Sequence, residues 1–366
     1  MKYNNIVYVH FSLNYDGGIG TVIRQLAIRQ VKSGYEVYLA ADETNAETVK
    51  TLANECKCEV ILYHNRKSLL PRSVIGNNLK KIIGRQFKNK CVKPVLICHG
   101  VGVIGLLGTI PQNTFVVLHG HINCENSKSF LFYNLLLYKL KKKCQFISCS
   151  IDCAQYFFSK YKLKSQIIQN GLDTVTTKEM YYPNKKLTIG MISYLDEHKG
   201  FRFFLDAITI LSKKNYDFEY YIAGHNDENF NFSEFIYKNN LINKLHFLGE
   251  VKNAANTILP MCDIIVLPSV MEGLPMSLIE AQSYGIPILA TDVGGIPEIL
   301  KDGYNGYFIK RNGDDIADKI TKCSDIGNYI KLSQNSKDLY MQNFTAEKMF
   351  SNYENFINET IGSVEC

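Results

Sequence analysis

Residues 263–285 read DIIVLPSVMEGLPMSLIEAQSYG, and this stretch decides the fold. Its apolar run, Ile264 to Leu267, is largely β-branched, which is typical of a buried parallel strand. Pro268 ends the run, a turn with a glycine follows, and Pro275 suits the first turn of a helix that ends at Gly285. Strand, turn and helix N-terminus in this order predict an anion site at the carboxyl edge of a parallel sheet.

Two carboxylates flank this turn. Glu272 lies in the turn and Glu280 lies eight residues later in the predicted helix, roughly 12 Å along its axis. Carboxylates that act on one glycosidic bond stand about 5 to 9.5 Å apart, so this pair fits the two ends of a long ligand better. A nucleotide-sugar is such a ligand, with hydroxyls at both ends and a diphosphate between them. The alternative is a solvated loop glutamate and a surface helix glutamate.

Three blocks of the second half carry a resemblance to a known family. Residues 272–280 read EGLPMSLIE, residues 285–298 read GIPILATDVGGIPE, and residues 302–306 read DGYNG. They resemble the signature blocks of the retaining GT-B glycosyltransferases of family 4, the glycosyl transferases group 1. The resemblance implies an α/β fold of two Rossmann-like domains that face each other across a cleft, with a C-terminal helix that crosses back to the first domain.

The length of the chain also favours two domains. At 366 residues with 46% hydrophobic and 21% charged content, the chain is globular and exceeds a typical single core. The polar segment 175–186 has no clear period and is the predicted linker. We therefore expect an acceptor-side domain over 1–174, a nucleotide-sugar-binding domain over 187–342 and a returning C-terminal helix over 343–366.

Composition favours a cytoplasmic protein without a metal. No N-terminal signal peptide is visible, and no run reaches the roughly 18 apolar residues of a spanning helix. The eleven cysteines are scattered without paired zinc spacing, which indicates reduced thiols. The sequence also contains no Asp-x-Asp metal motif. We expect no metal and no cofactor other than the nucleotide-sugar co-substrate.

The formal net charge of +6 hides an asymmetry between the two halves. Residues 1–174 contain 23 Lys and Arg against 10 Asp and Glu, whereas residues 175–366 contain 18 against 25. The basic half points to a polyanion or an anionic membrane surface as partner, on the inner face of the cell membrane. Residues 127–143 are apolar with lysines at the end, which fits either a helix in a membrane interface or an ordinary packed helix. Residues 78–93 add a second basic, helix-like segment.

The first glycine loop follows the first predicted strand. Residues 16–20 read DGGIG between apolar strand and helix patterns, so the loop belongs to a βαβ unit in which backbone N–H groups can approach a phosphate. It does not complete a dinucleotide fingerprint, because Ile23 stands where the third glycine would be. The resemblance implies that Gly17 and Gly18 contact the donor phosphate.

Histidines follow two further strands of the first half. His99 follows the apolar run 95–98, and His119 and His121 follow the run 114–118. Side chains at the carboxyl ends of parallel strands line the crevice where α/β proteins bind ligands, although a lone histidine more often has a structural role. The resemblance implies that His119 lies beside the transferred sugar, and His99 and His121 are expected to support it.

The resemblance also assigns residues to the diphosphate of the donor. Lys199 matches the Lys of the family's Lys-Gly, but Tyr194 stands where the family has an Arg, which puts the usual pair of cations in doubt. Asn170 matches the Asn-Gly-x-Asp block that ends the first domain. We expect catalytic roles for His119, Glu272 and Lys199. The remaining donor contacts are expected from these residues of the signature block: Gly273, Leu274, Met276, Ser277 and Glu280.

The expected reaction is a metal-independent, retaining glycosyl transfer. Backbone N–H groups, the dipole of the helix after Pro275 and Lys199 would stabilise the departing diphosphate, Glu272 would orient sugar hydroxyls, and Glu280 would hold the ribose. The resemblance implies transfer of a hexose or N-acetylhexosamine, most often from a UDP-sugar, to a glycan or a polyprenyl-diphosphate-linked acceptor. Polysaccharide assembly of the capsule, exopolysaccharide or lipopolysaccharide (O-antigen) type is the implied setting.

Four alternatives stay open at this point. A sugar-nucleotide 2-epimerase shares the same architecture, and a membrane glycolipid synthase shares the chemistry. A dehydrogenase is disfavoured by the incomplete glycine fingerprint. A nucleic-acid-binding module would use the basic half, but no recognition helix or aromatic sheet signature accompanies the charge, so nucleic acid is not expected as a partner.

Overall fold

Buried apolar runs of the sequence form parallel strands in the computed structural model of the protein. The structure describes residues 3–10, 17–42, 46–63, 83–88, 94–100, 113–121, 127–173, 186–226 and 230–362. The chain divides into two units, Met1–Gly171 with Ala346–Cys366 and Leu172–Thr345. The predicted linker, 175–186, lies outside the described residues except for Lys186.

The first unit contains a parallel sheet whose seven described strands have the order β3-β2-β1-β4-β5-β6-β7. The central strands are continuously buried, which explains their unbroken apolar composition. The strands are β1 Asn5–His10, β2 Glu36–Asp42, β3 Glu59–Tyr63, β4 Val95–His99, β5 Thr114–Leu118, β6 Gln145–Ser148 and β7 Gln166–Ile167. The helices between them include α1 Gly18–Lys32, α2 Ala46–Cys56, α3 Ser127–Leu140 and α4 Ile151–Tyr161.

The second unit repeats this architecture with six described strands in the order β10-β9-β8-β11-β12-β13. Its strands are β8 Leu187–Ile192, β9 Phe218–Ala223, β10 Leu245–Gly249, β11 Ile264–Leu267, β12 Ile288–Ala290 and β13 Gly306–Phe308. Its helices are α5 Phe201–Lys213, α6 Phe232–Lys238, α7 Ala254–Thr257, α8 Met276–Ser283, α9 Ile296–Ile299, α10 Gly313–Ser324 and α11 Ile326–Asn343, with a short 3₁₀ turn at Leu259–Met261. Two Rossmann-like α/β units are therefore present, as predicted.

The C-terminal helix, α12 Ala346–Gly362, belongs to the first unit, as the resemblance implied. It contacts α1, where Nε of Arg29 donates to Glu347 at 3.2 Å. Phe356 packs edge-on against Phe115 of β5, with ring centroids 5.7 Å apart. The last helix of the chain thus completes the packing of the first sheet.

Helix α8 differs from its prediction at its first residue. Pro275 is the N-cap residue rather than part of the first turn, a one-residue difference of the kind expected at helix ends. The polar Gln282 is also fully buried in this helix, where it donates to the carbonyl of Ile299 at 2.7 Å. The helix packs against both β12 and α11, so burial extends around most of its circumference.

Candidate active site

Two loops of the second unit lie side by side at the carboxyl edge of its sheet. They follow β8 and β11, which pair in parallel through Ile189 and Ile264. Since β8 lies between β9 and β11, the strand order reverses here, and such switch points are where open α/β sheets bind ligands. The backbone N–H of Val270 donates to the carbonyl of His198 at 2.7 Å and joins the two loops directly.

Glu272 lies in the second of these loops and is only 9% exposed. Its Oε1 accepts two hydrogen bonds of 2.7 Å, one from Nζ of Lys199 and one from Oγ of Ser269. The two donors and the burial fix the orientation of this carboxylate. The alternative of a solvated loop glutamate is therefore wrong for Glu272, and the structure brings two predicted catalytic residues, Lys199 and Glu272, into contact.

Lys199 is positioned by its own loop. Its backbone N–H donates to Oδ1 of Asp196 at 2.8 Å, and the next residue, Gly200, caps α5 with a φ of +71°. A Cβ at Gly200 would lie 2.3 Å from the carbonyl oxygen of Pro268. Only glycine combines this left-handed conformation with so close an approach to the neighbouring loop, which explains the Lys-Gly pair.

Arg311 ties the same two loops together and was missed by the sequence analysis. Its Nε donates to the carbonyl of Pro268 at 3.2 Å and its Nη2 donates to the carbonyl of Glu197 at 2.9 Å. The guanidinium also lies 4.9 Å from the ring centre of Phe203. No local motif marks this arginine, because its partners are 43 and 114 positions away in the chain.

Residues 291–295, which follow β12, contact the backbone of the loop that carries Glu272. Gly294 has a φ of +55°, and a Cβ there would lie 1.8 Å from the carbonyl oxygen of Glu272. The N–H of Gly295 donates to that oxygen at 3.4 Å, and Oγ1 of Thr291 donates to the carbonyl of Ser269 at 2.7 Å. The two glycines of this block thus allow close backbone contact with the turn that carries Glu272.

The N-terminus of α8 follows directly on Glu272, Gly273 and Leu274. Its N-cap, Pro275, makes no side-chain capping bond, and no acidic residue lies in the first turn. The N–H groups of Met276 and Ser277 therefore retain the donor capacity and positive dipole end that stabilise an anion. This geometry fits the predicted diphosphate contacts.

Glu280 lies inside α8 and is partly buried. Burial raises the pKa of its carboxyl to about 7. Among the described residues, the carboxylate has no hydrogen-bond or ion-pair partner, so it differs from Glu272 in being uncompensated. A ligand hydroxyl would give it a donor.

Tyr194, at the position where the family has an Arg, is 53% exposed. Its ring centre lies 6.1 Å from that of His225. A phenol supplies a neutral hydrogen-bond donor and not a guanidinium, so Lys199 is the cation of this loop that contacts Glu272.

In the first unit, α1 begins at Gly18 with Gly17 as its N-cap. Gly17 makes no side-chain capping bond and the first turn has no acidic residue, so this helix N-terminus resembles that of α8. It follows β1, which lies between β2 and β4 at the switch point of the first sheet. The predicted phosphate loop is therefore at the topological place where ligands bind.

His99 and His119 are brought together at the ends of β4 and β5. Nδ1 of His99 and Nε2 of His119 are 2.9 Å apart, and their rings stack with centroids 5.1 Å apart at an interplanar angle of 15°. His99 is buried, whereas His119 is partly accessible. The buried ring thus lies against the accessible one.

His121 makes a separate cluster. Its Nε2 lies 2.7 Å from Oδ2 of Asp152 at the start of α4, and its ring stacks on that of Tyr156 with centroids 4.0 Å apart. His121 therefore does not belong to the stacked pair of His99 and His119.

Asn170 is buried at the end of the first unit. The N–H of the following Gly171 lies 3.2 Å from Sδ of Met349 on α12, so this block lies against the C-terminal helix. The predicted site residues Gly17, Gly18, His119 and Asn170 belong to the first unit, and all the others belong to the second.

Within the described residues, no group of three His, Cys, Asp or Glu is arranged to hold a metal ion. None of the helices in the described part of the chain is both long enough and apolar enough to cross a bilayer.

Two parallel-sheet units, one of them with a buried carboxylate–lysine pair beside a helix N-terminus, have the architecture of the GT-B class. Anabaena HepE, solved in complex with UDP and glucose, has the same fold, with a TM-score of 0.76 and 17% identity over 98% of this chain and 100% of that one. Residues 177–337 match the family model of the glycosyl transferases group 1. Residues 177–337, most of the second unit, are thus a domain of this family.

Two curated relatives are similar over part of their length. The N,N'-diacetylbacillosaminyl-diphospho-undecaprenol alpha-1,3-N-acetylgalactosaminyltransferase of Campylobacter jejuni is 30% identical over 261 residues, which cover 69% of this chain and 64% of that protein. The O-antigen biosynthesis glycosyltransferase WclY of Escherichia coli is 24% identical over 59% of this chain and 61% of its own length. The match thus spans less than two thirds of each of these relatives.

Proposed function

We propose that this protein transfers a hexose or N-acetylhexosamine, with retention of configuration, from a UDP-sugar to a lipid-linked acceptor during assembly of a bacterial surface polysaccharide. The proposal depends on the buried Glu272, whose carboxylate is held by Lys199 and Ser269. This residue lies just before the N-terminus of α8, whose first N–H groups have no side-chain cap. The family match of residues 177–337 supports the reaction class.

The second unit would hold the donor. The diphosphate would accept hydrogen bonds from the N–H groups of Met276 and Ser277 and would be attracted by the positive end of the α8 dipole. Lys199 would share its ammonium group between the diphosphate and Glu272. As the bond to the anomeric carbon breaks, negative charge grows on the leaving phosphate, and these preorganised donors would stabilise that charge.

Glu272 would accept hydrogen bonds from hydroxyls of the transferred sugar. Its Oε1 already accepts from Lys199 and Ser269, and a carboxylate oxygen pair offers further acceptor sites. Glu280, which has no partner among the described residues, would accept from the ribose hydroxyls.

His119 would act from the first unit, where His99 fixes its ring. A positioned imidazole beside the sugar can donate or accept a hydrogen bond as the transition state forms. The acceptor hydroxyl would attack on the face from which the phosphate departs, and the phosphate would take its proton. Bond formation and cleavage on one face would retain the configuration.

The relatives support the acceptor class. One acts on a sugar linked through a diphosphate to undecaprenol, and the other acts in O-antigen biosynthesis. The UDP and glucose in the HepE structure support UDP as the nucleotide. Polysaccharide assembly on a polyprenyl diphosphate, in the cytoplasm, is the corresponding proposal for this chain.

The direct test is a panel of UDP-, GDP- and ADP-sugars, each scored by thermal-shift stabilisation and then by transfer to a polyprenyl-diphosphate-linked glycan. One UDP-sugar should raise the melting temperature, because a bound ligand stabilises the folded state by mass action. The product should carry the transferred sugar with the donor's anomeric configuration. An inverted product would contradict retention, and stabilisation by another nucleotide would contradict UDP.

Incubation with the donor alone separates transfer from epimerisation. A glycosyltransferase should leave the sugar unchanged at C2, apart from slow hydrolysis. Release of a 2-epimer without an acceptor would favour the epimerase of the same architecture and would overturn the proposed reaction.

A further inference from the structure

One cysteine of the first unit differs from the others in its exposure. The structure describes eight of the eleven cysteines, and seven of these eight are buried. The exception is Cys58, which is half-buried and lies two residues after Cys56. Reactive thiols are partly exposed and lie near cations, whereas sealed thiols are inert. We call Cys56 and Cys58 the turn pair, because they flank the turn that ends α2.

The end of α2 folds Cys58 back beside Cys56. Lys57, between them, adopts the left-handed conformation, with a φ of +58°. The N–H of Lys57 donates to the carbonyl of Asn54 at 3.3 Å, and the N–H of Cys58 donates to the carbonyl of Ala53 at 2.8 Å. These two bonds form the Schellman motif that ends many helices. In this turn, Sγ of Cys58 lies 3.7 Å from the carbonyl oxygen of Cys56.

The turn places the two cysteines at the separation that a disulfide needs. A residue in a helical conformation, right- or left-handed, holds the Cα atoms of its two neighbours roughly 5.4 Å apart, and disulfides join Cα atoms about 4.4 to 6.8 Å apart. The two thiols of the turn pair also form a hydrogen bond with each other. A bond between the two sulfurs is therefore compatible with the backbone as it stands.

The surroundings of Cys56 favour its thiolate. The hydrogen bond from the Cys58 thiol lowers the pKa of Cys56, and the guanidinium of Arg24 lowers it further, against the effect of burial. The same hydrogen bond, together with burial, raises the pKa of Cys58. Sγ of Cys56 lies 4.0 Å from the carbonyl oxygen of Arg24, whose Nε pairs with Glu55 at 3.0 Å. One sulfur is thus prepared as a nucleophile, and its neighbour keeps a proton.

A second pair of thiols in the same unit has the contact without the access. Cys149 and Cys153 also form a hydrogen bond, which lowers the pKa of Cys153. Cys149 is 1% exposed and Cys153 is 0% exposed. Sγ of Cys153 lies 3.6 Å from the carbonyl oxygen of Leu118 in the sheet. We call these two residues the buried pair, and it serves as an internal control for the turn pair.

We propose that the turn pair is a redox-active dithiol that a hydroperoxide converts into an intramolecular disulfide. The Cys56 thiolate attacks one oxygen of hydrogen peroxide, the O–O bond breaks, and the departing hydroxide takes up the proton that Cys56 had released. The sulfur of Cys58 then attacks the sulfenic acid on Cys56, and the oxygen leaves as water with the Cys58 proton. One peroxide is reduced to two waters as the two thiols are oxidised to one disulfide.

Peptide mapping of the full chain after treatment with hydrogen peroxide tests the proposal. Remaining thiols are blocked with N-ethylmaleimide, and chymotrypsin then leaves the turn pair within residues 53–62 and the buried pair within residues 147–156. The first peptide should lose two hydrogen atoms and escape the blocking reagent, and dithiothreitol should reverse both changes. The second peptide should remain reduced over the same time. Far-UV circular dichroism checks that the treated protein stays folded.

Variants around the turn pair test the proposed chemistry. Cys58→Ser, at the half-buried position, should abolish the loss of two hydrogen atoms. Arg24→Gln should slow disulfide formation by about fivefold, because a neighbouring cation raises the thiolate fraction, whereas Arg24→Lys should retain most of the rate. Lys50→Gln removes a charge from an exposed position of the same helix and is the matched control. Its rate should remain within about twofold of the wild type, since exposed charges are screened by salt.

Three results would overturn the proposal. The first is a turn pair that stays reduced at a peroxide concentration that oxidises free glutathione. The second is equal oxidation of the turn pair and the buried pair in a protein that stays folded, and the third is a bridge from the turn pair to another cysteine. The inference does not depend on the proposed function, because its readout is the mass of a peptide. The UDP-induced thermal shift of the reduced protein tests the nucleotide site separately.

Discussion

The two units place their candidate residues at the same topological position but fix them by different means. In the second unit, glycines at 200 and 294 bring backbone against the loop that holds Glu272, and an ion pair completes the site. In the first unit, the rings of His99 and His119 stack, and Nδ1 of His99 lies 2.9 Å from Nε2 of His119. A site fixed by backbone contact should tolerate little substitution, whereas one fixed by side chains should accept other rings of similar shape.

The largest effect is expected at Glu272. Glu272→Gln keeps the shape of the side chain and removes the charge that Lys199 balances. We expect transfer activity to fall by about 10²- to 10³-fold, the range seen when a preorganised electrostatic group is removed. Steady-state kinetics with a saturating UDP-sugar would measure the loss in kcat.

Glu197→Gln is the matched control. Glu197 lies in the loop of Lys199 with an exposed side chain, and its carbonyl accepts a hydrogen bond from Arg311. Its kcat should remain within about twofold of wild type, as for other exposed substitutions. A near-wild-type kcat for Glu272→Gln would show that Glu272 has no role in the mechanism. The contrast between the two units would then lose its basis.

Lys199→Met should show how much the ion pair between Lys199 and Glu272 stabilises the protein. It leaves a buried carboxylate without its cation, which costs on the order of 3 kcal/mol of unfolding free energy. The double variant Lys199→Met with Glu272→Gln should recover most of this loss, because no uncompensated charge remains. Urea denaturation of the four proteins gives the coupling energy. If the double variant lost as much unfolding free energy as the two single variants together, the coupling energy would be zero and the ion pair would contribute nothing to stability.

The strands around this pair were predictable from local sequence, and the contacts that position it were not. β11 has the predicted bounds, Ile264–Leu267, because a buried parallel strand is a continuous apolar run. Glu272 and Lys199 were found by their motifs, but their contact joins residues 73 positions apart. Periodicity and turn residues report only on near neighbours, so the role of Arg311, whose partners are 43 and 114 positions away, appeared only with the fold.

The same limit explains what the sequence analysis left open in the first unit. It placed His99 and His119 after neighbouring strands, and the parallel pairing of β4 with β5 brings them together. It could not separate His121, whose partner Asp152 lies on a later helix. The basic segment 78–93 lies outside the described residues except for 83–88, so its prediction stays a prediction.

Glu280 should make the stability of the protein depend on pH. Burial raises the pKa of its carboxyl from 4.5 to about 7, so the folded state favours the protonated form. The contribution of protonated Glu280 to the free energy of unfolding is fully present below about pH 4.5, and it is lost as pH rises through about 7. Ionised Glu280 then costs up to about 3 kcal/mol, and Glu280→Gln should stabilise the protein above about pH 8 and change it little near pH 5.

Denaturant curves at the two pH values measure this difference. Glu359→Gln, an exposed carboxylate of α12, should change neither curve and serves as the control. Binding of UDP should weaken as pH falls below about 7 if the ribose donates to ionised Glu280, and Glu280→Gln should flatten that profile. A wild-type UDP affinity that is independent of pH would count against the ribose contact.

Gly294 tests the backbone contact itself. Gly294→Ala places a Cβ 1.8 Å from the carbonyl oxygen of Glu272 at a φ of +55°. We expect a loss of about 2 kcal/mol or more in unfolding free energy, from backbone strain together with the clash. Gly303→Ala shares the strain, at a φ of +71°, but its nearest neighbour would be 3.9 Å away. Equal losses in the two variants would mean that strain alone matters and that close approach to Glu272 does not.

The smallest effect on the unfolding free energy is expected at His119, and its size tests the contrast between the two units. His119→Phe keeps a flat ring against His99 and removes the 2.9 Å hydrogen bond, so the unfolding free energy should fall by only about 1 kcal/mol. His119→Ala removes the stacked ring as well and should cost about 1 kcal/mol more. Both variants should keep the UDP-induced thermal shift, since the proposed nucleotide contacts lie in the second unit, while transfer activity falls in both. A loss of stability at His119→Phe as large as that at Gly294→Ala would mean that the first unit is as rigidly determined as the second.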